Sequence, residues 1–135
     1  MTRHEHRPTV RFYEVDQQGV IYHMWYHAYF EDARNELLAL RGASLPSIQA
    51  RGLDLVVVAF ELGWRGPVRW GDDLRVDVAV RRIGTTSLAV DYAANVDGDC
   101  RVSGAATYVL VSRTEHRPAP WPADLRDALM PEGAR

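Results

Sequence analysis

YEVDQQGVIYHMWYHAYFEDAR, residues 13–34, joins a β-branched and aromatic run to an aromatic-rich helical pattern through Asp16, a Gln17-Gln18-Gly19 turn and the apolar pair Val20-Ile21. The order places a carboxylate close to a helix start, where backbone N–H groups lack intrahelical partners and favour negative charge. Such a junction is suited to hydrolysing an activated acyl group. Read as residues alone, Asp16 can equally support the turn or cap the helix.

Outward from this stretch, Val10, Phe12, Tyr13 and Val15 predict a first strand over Thr9–Val15 that delivers Asp16 at its end. Residues 1–8 are polar, end in Pro8 and read as a solvated, fraying tail. On the other side, Tyr22, Tyr26, Tyr29, Phe30, Ala33, Leu37 and Leu40 recur at spacings of three and four, predicting a helix over His23–Arg41 that Gly42 stops. His27, Glu31, Asp32, Arg34 and Asn35 would form its polar face. Residues 43–54 read as a connection with room for a helical turn.

The period then changes to two. Leu55–Trp64 is a nearly continuous apolar run, expected at the sheet centre or in a buried subunit contact, with Gly63, Gly66 and Pro67 as its bulge or kink. Gly71-Asp72 and Gly84-Thr85 are turns. Leu74, Val76, Val78 and Val80 alternate with polar residues, as do Leu88, Val90, Tyr92, Ala94 and Val96, and Asp97-Gly98 signals a hairpin into a last strand over Cys100–Ser112. The proline-rich tail from Thr114 has room for a helical turn or two around Asp124–Leu129. The layout is α+β, with one antiparallel sheet of about five or six strands wrapped around one long helix. Its free edge and second face make a homodimer or homotetramer the expected assembly.

Composition narrows the function. At 135 residues with 47% hydrophobic residues the chain fits one globular domain, 1–135, with 1–8 and 114–135 as peripheral tails. The net charge of −2 offers no general attraction to nucleic acid, and no apolar run approaches the roughly 20 residues that span a bilayer. All 16 basic residues are arginine, which leaves arginine as the strong phosphate-binding side chain. A lone Cys100 and an amino terminus without an apolar core segment point to the cytoplasm.

The pattern resembles the hotdog-fold acyl-CoA thioesterases, specifically the 4-hydroxybenzoyl-CoA thioesterase-like or YbgC-like group. The resemblance rests on Asp16-Gln17-Gln18-Gly19-Val20-Ile21-Tyr22-His23 followed by Tyr26, Phe30, Glu31, Ala33 and Arg34, and on Pro67-Val68-Arg69-Trp70-Gly71-Asp72-Asp73-Leu74. It spans about Val10 to Ser112. Trp25 stands where the family often has Asn, and Gln18 where it frequently has a second Gly, which bears on the shape of the acyl pocket.

What the resemblance implies is an acyl-CoA substrate, aromatic or short to medium aliphatic, with no cofactor. Asp16 would be the nucleophile or general base, Gly19 would shape its turn, and the backbone N–H of His23 would hold the thioester oxygen. Tyr22, Trp25 and Tyr26 would line the substrate site. Arg65, Arg81 and Arg82, with the N–H groups around Thr86 and Ser87, would meet the coenzyme A phosphates. His23, His27 and Glu31 fall four apart on one helical face, but His27 and Glu31 are read as an ordinary i, i+4 pair and no metal is expected. Two other outcomes remain open: a thioesterase for acyl-carrier or polyketide substrates, and a non-catalytic acyl-CoA-binding module.

Overall fold

A computed structural model describes residues 2–131; Met1 and residues 132–135, the far ends of the two expected tails, lie outside the described residues. The elements run β1 (Arg3–His6), a 3-10 turn (Phe12–Glu14), α1 (Trp25–Leu40), α2 (Leu45–Ala50), β2 (Leu53–Trp64), β3 (Leu74–Ile83), β4 (Ser87–Val96), β5 (Asp99–Ser112) and α3 (Ala123–Leu129). All five strands form one antiparallel sheet in the order β1-β3-β4-β5-β2. This is the hotdog arrangement, with α1 as its filling.

Why α1 sits so close to the sheet is visible in two residues. Gly104 of β5 has no side chain, and a Cβ there would lie 2.7 Å from Cε2 of Phe30. Phe30 uses that gap and stacks on Tyr92 of β4, with ring centroids 4.8 Å apart and planes within 10°. Tyr26, Ala33 and Leu37 follow at helical spacing, and the helix stops at Gly42, whose φ of 75° suits glycine. The sheet's inner face is the alternating set Leu74, Val76, Val78, Val80, Leu88, Val90, Tyr92 and Ala94, all buried as their period predicts. Asp97 and Gly98 both take positive φ, 52° and 77°, as a two-residue hairpin turn requires.

Several expectations need correction. The amino-terminal tail is strand β1, paired with β3 from Arg3↔Ala79 to His6↔Val76, with His4 and His6 facing inward onto Glu36 of α1. Its alternation is polar, so periodicity in hydrophobicity could not reveal it. Thr9–Val15 holds no strand: the 3-10 turn replaces it, and only Val15 bridges, to Ile21. The helix begins at Trp25 and not His23, and Tyr22 and Leu40 at the ends of its stripe are exposed.

The apolar run at 55–64 lies at the sheet edge and not its centre, since β2 pairs only with β5. The chain does bend at Gly66, just past the strand, and a further register shift falls inside it, between Val57 and Ala59. The carboxy-terminal tail is not wholly peripheral either. Trp121, Leu125 and Leu129 join the core, and the Trp121 indole N–H donates to the Ser87 carbonyl at 3.2 Å.

Arg34, placed on the polar helix face by its spacing, is only 8% exposed. Its guanidinium meets Glu31 Oε2 at 2.5 Å and lies 4.7 Å from the Tyr108 ring centre. Tyr108 and Tyr92 share a hydroxyl–hydroxyl bond of 2.6 Å. A buried charge is retained here because it is paired and hydrogen-bonded. Glu31 therefore pairs with Arg34, while the His27 ring packs edge-on against Phe60 of β2.

Candidate functional site

Residues 14–22 form a small antiparallel loop. Tyr22 N–H donates to Glu14 O at 2.9 Å, Val15 bridges Ile21, and Asp16 N–H donates to Val20 O at 2.8 Å. Asp16 to Gly19 is the tip, closed by Gly19 N–H to Asp16 O at 3.0 Å, with Gly19 at φ 77°. Asp16 Oδ1 accepts the Gln18 N–H at 2.8 Å. The turn-supporting role is thus present, and it engages one carboxylate oxygen through a backbone donor.

The loop's second arm is held by the chain entering β3. Ile21 N–H donates to Val68 O at 2.9 Å, Trp70 N–H donates to Gly19 O at 3.1 Å, and Val20 bridges Arg69. Asp72 closes that second segment by accepting the Arg69 N–H at 2.8 Å, a structural task. The two motifs that carry the sequence resemblance are therefore one hydrogen-bonded unit.

After the loop the chain turns directly into α1. Trp25 N–H donates to Tyr22 O, whereas the His23 N–H has no backbone acceptor among the described residues. It lies in the turn just before the helix, two residues ahead of the observed start at Trp25. The His23 side chain is exposed, between the Tyr22 ring at 4.4 Å and the Trp64 ring at 6.1 Å.

Tyr26 is buried beside Trp64, with centroids 6.4 Å apart, and burial pushes its hydroxyl up to about 12 against the opposing charge of Arg101. It is neutral at physiological pH. Trp25 packs edge-on to Tyr13 at 5.8 Å, and Phe12 to Trp70 at 5.4 Å, so aromatic rings border the loop on both sides. Trp64, 50% exposed, is a member of this group that sequence reasoning missed.

The residues expected at the phosphates divide between the two ends of the sheet. Arg65 follows Trp64, whose ring lies 6.1 Å from that of His23, and its N–H donates to Arg101 O at 2.7 Å. Arg81, Arg82, Thr86 and Ser87 belong to the opposite half, where β3 turns into β4, and are not brought to Asp16 within one chain. Arg81 is paired with Asp91 at 3.1 Å. In the turn itself, Thr85 O accepts the Trp121 N–H, Thr86 O accepts the Leu110 N–H and the Gly84 N–H donates to Ser87 O.

Cavities of about 340, 300 and 450 Å³ open on the surface, none lined by Asp16, although the first reaches Glu14 of the loop and Trp25. The first lies between the amino-terminal segment and α1, against Arg7, Glu14, Trp25 and Tyr29. Among the described residues no group of three or more His, Cys, Asp and Glu side chains could hold a metal ion, and no helix is long and apolar enough to cross a membrane.

Comparison with known proteins agrees with the fold. Residues 10–129 match the thioesterase-like superfamily. The chain is 29% identical over 130 residues to the 1,4-dihydroxy-2-naphthoyl-CoA hydrolase of Thermosynechococcus vestitus, covering 92% of this chain and 89% of that protein. It is 30% identical over 79 residues to the acyl-CoA thioester hydrolase YbgC of Escherichia coli, covering 58% of this chain and 59% of that one. A thioesterase from Thermus thermophilus, solved with coenzyme A and Zn, superposes with a TM-score of 0.80 at 25% identity over 93% of this chain and 90% of that one. With its helix-filled sheet and a match that runs nearly end to end, this chain belongs to the thioesterase-like superfamily and is a hydrolase enzyme.

Proposed function

We propose that the protein hydrolyses an acyl-CoA thioester to a carboxylic acid and free coenzyme A at the loop of residues 14–22. The observation that carries this reading is the loop itself, which holds Asp16 at its tip and leads straight into the turn of His23, whose N–H has no backbone acceptor among the described residues. An ionised carboxylate needs no activation to accept a proton or attack. Water attack with Asp16 as base, or direct attack by Asp16, puts negative charge on the carbonyl oxygen. A backbone donor such as the His23 N–H is worth roughly 10²–10³ in turnover at that position. Collapse breaks the C–S bond, and the thiolate leaves as coenzyme A; water attack gives the free acid directly, whereas direct attack leaves an acyl-Asp16 anhydride that a water then hydrolyses to the acid and free Asp16. Trp64, Tyr22, Trp25 and Tyr26 would border the acyl group.

The active unit in this reading is a homodimer paired along the free edge of β2, where Val56, Val57 and Val58 are exposed. Antiparallel, two-fold pairing there would set the Arg82, Thr86 and Ser87 end of one sheet beside the Asp16 end of the other. That arrangement would give Arg65 and the partner's Arg82 opposite sides of the coenzyme A phosphates.

Thiol release from a panel of aromatic and aliphatic acyl-CoA esters tests the reading. Asp16→Asn keeps an oxygen for the Gln18 N–H, so the fold should survive while turnover drops by about 10² or more. Parental turnover in that variant would overturn the mechanism. A single turnover in ¹⁸O water tests the covalent route: label in Asp16 marks an anhydride opened at its aspartyl carbonyl, whereas general-base attack leaves Asp16 unlabelled.

A further inference from the structure

Glu14 is 4% exposed, yet it is an acidic residue without an ion pair among the described residues. Its Oε1 accepts two neutral donors, the Tyr29 hydroxyl at 2.7 Å and the Arg11 N–H at 3.0 Å. Burying a carboxylate this way is expensive, and apolar side chains would fill the same space at lower cost. What the arrangement supplies is direction.

Glu14 starts the loop whose tip is Asp16, and Tyr29 lies in the second turn of the helix that His23 precedes. One arm of the loop is tied by backbone bonds to Val68 and Trp70. The other arm, at Glu14, is tied to α1 by the Tyr29 hydroxyl. The separation between Asp16 and the His23 N–H depends on how the loop sits against α1, and this bond spans the two. We propose that Tyr29 and Glu14 are positioning residues that hold the Asp16 carboxylate at its working distance from the His23 N–H. The proposal rests on the reading of Asp16 as the catalytic carboxylate.

The conservative change is Tyr29→Phe, which deletes one hydroxyl and keeps the ring against Tyr26. A misplacement of about 1 Å costs up to 10² in rate, so kcat should fall about tenfold while KM stays within about twofold. Glu14→Gln retains an acceptor oxygen for both donors and should keep kcat within about threefold of the parent, whereas Glu14→Ala should match or exceed the loss in Tyr29→Phe.

Introducing Tyr29→Phe into Asp16→Asn distinguishes positioning from general weakening. If the hydroxyl acts through Asp16, the double variant turns over no more slowly than Asp16→Asn alone; a loss that multiplies through overturns the proposal. Parental kcat in Tyr29→Phe with an inactive Asp16→Asn also overturns it, and leaves the reading of Asp16 standing. Parental turnover in Asp16→Asn overturns both. Should Tyr29→Phe fail to fold by circular dichroism, the comparison of Glu14→Gln with Glu14→Ala decides: equal losses in the two exclude the acceptor role.

Discussion

Phe30 of α1 lies directly over the bare backbone of Gly104 in β5, so close that a Cβ at residue 104 would stand 2.7 Å from Cε2 and 3.0 Å from Cδ2 of the ring. The contact sets the depth of α1 in the sheet, because the same ring stacks on Tyr92 and, in parallel, on Phe60 of the edge strand. Gly104→Ala adds one methyl against a fully buried, stacked ring, with Leu62 a further 3.3 Å contact. It should destabilise the fold by about 1–3 kcal/mol, read as a lower urea midpoint at unchanged m-value. An unchanged midpoint would show that α1 floats more freely than this packing implies.

The inner sheet face, the helix and the Asp97-Gly98 hairpin are legible in the sequence because periodicity and turn chemistry are local. The Asp16 loop is legible for a different reason: its residue types, spacing and glycine match a known pattern. What stays hidden depends on tertiary partners. β1 reads as a tail because His4 and His6 take inward positions where an apolar residue would be diagnostic, and their shared partner Glu36 is remote in sequence, on α1. The Leu55–Trp64 run reads as sheet centre or subunit contact because apolar composition does not say which strand lies at an edge; the pairing of β2 with β5 alone does. Trp64 escapes notice since only the docking of β2 beside α1 brings it to His23.

Four of the six tyrosines, Tyr26, Tyr29, Tyr92 and Tyr108, have hydroxyls held above their ordinary range, in each case first by burial. For Tyr26 and Tyr108 the value reaches about 12. Between about pH 10 and 12 the unfolded chain has lost protons that the folded chain still holds, so stability is full below pH 10 and falls as pH rises through the folded values. Denaturant midpoints should therefore drop steadily above pH 10. Tyrosinate absorbance at 295 nm should stay well short of six equivalents in the native protein at pH 11 and complete only on unfolding. Full ionisation of a still-folded chain at that pH would contradict the burial of these rings.

Val58 is the residue left over where the register of β2 shifts between Val57 and Ala59, and it is 59% exposed at the sheet's free edge. Val57 beside it is 51% exposed. An edge strand this apolar attracts another strand unless a charge blocks it. Two-fold pairing along β2 would bring the two Val58 side chains near the symmetry axis, so Val58→Lys places two like charges there and buries their ammonium groups at once. The dimer should weaken by at least tenfold in Kd, about 1.4 kcal/mol, with the monomer's fold intact because Val58 faces solvent within one chain. Light scattering across a dilution series measures the shift. Turnover followed over the same concentrations should fall with the dimer fraction, since the Arg82 half of the phosphate site would come from the other copy. A variant that stays dimeric at low micromolar concentration, or one that dissociates yet turns over at the parental rate, would move the interface off β2 or the partner's arginine out of the site.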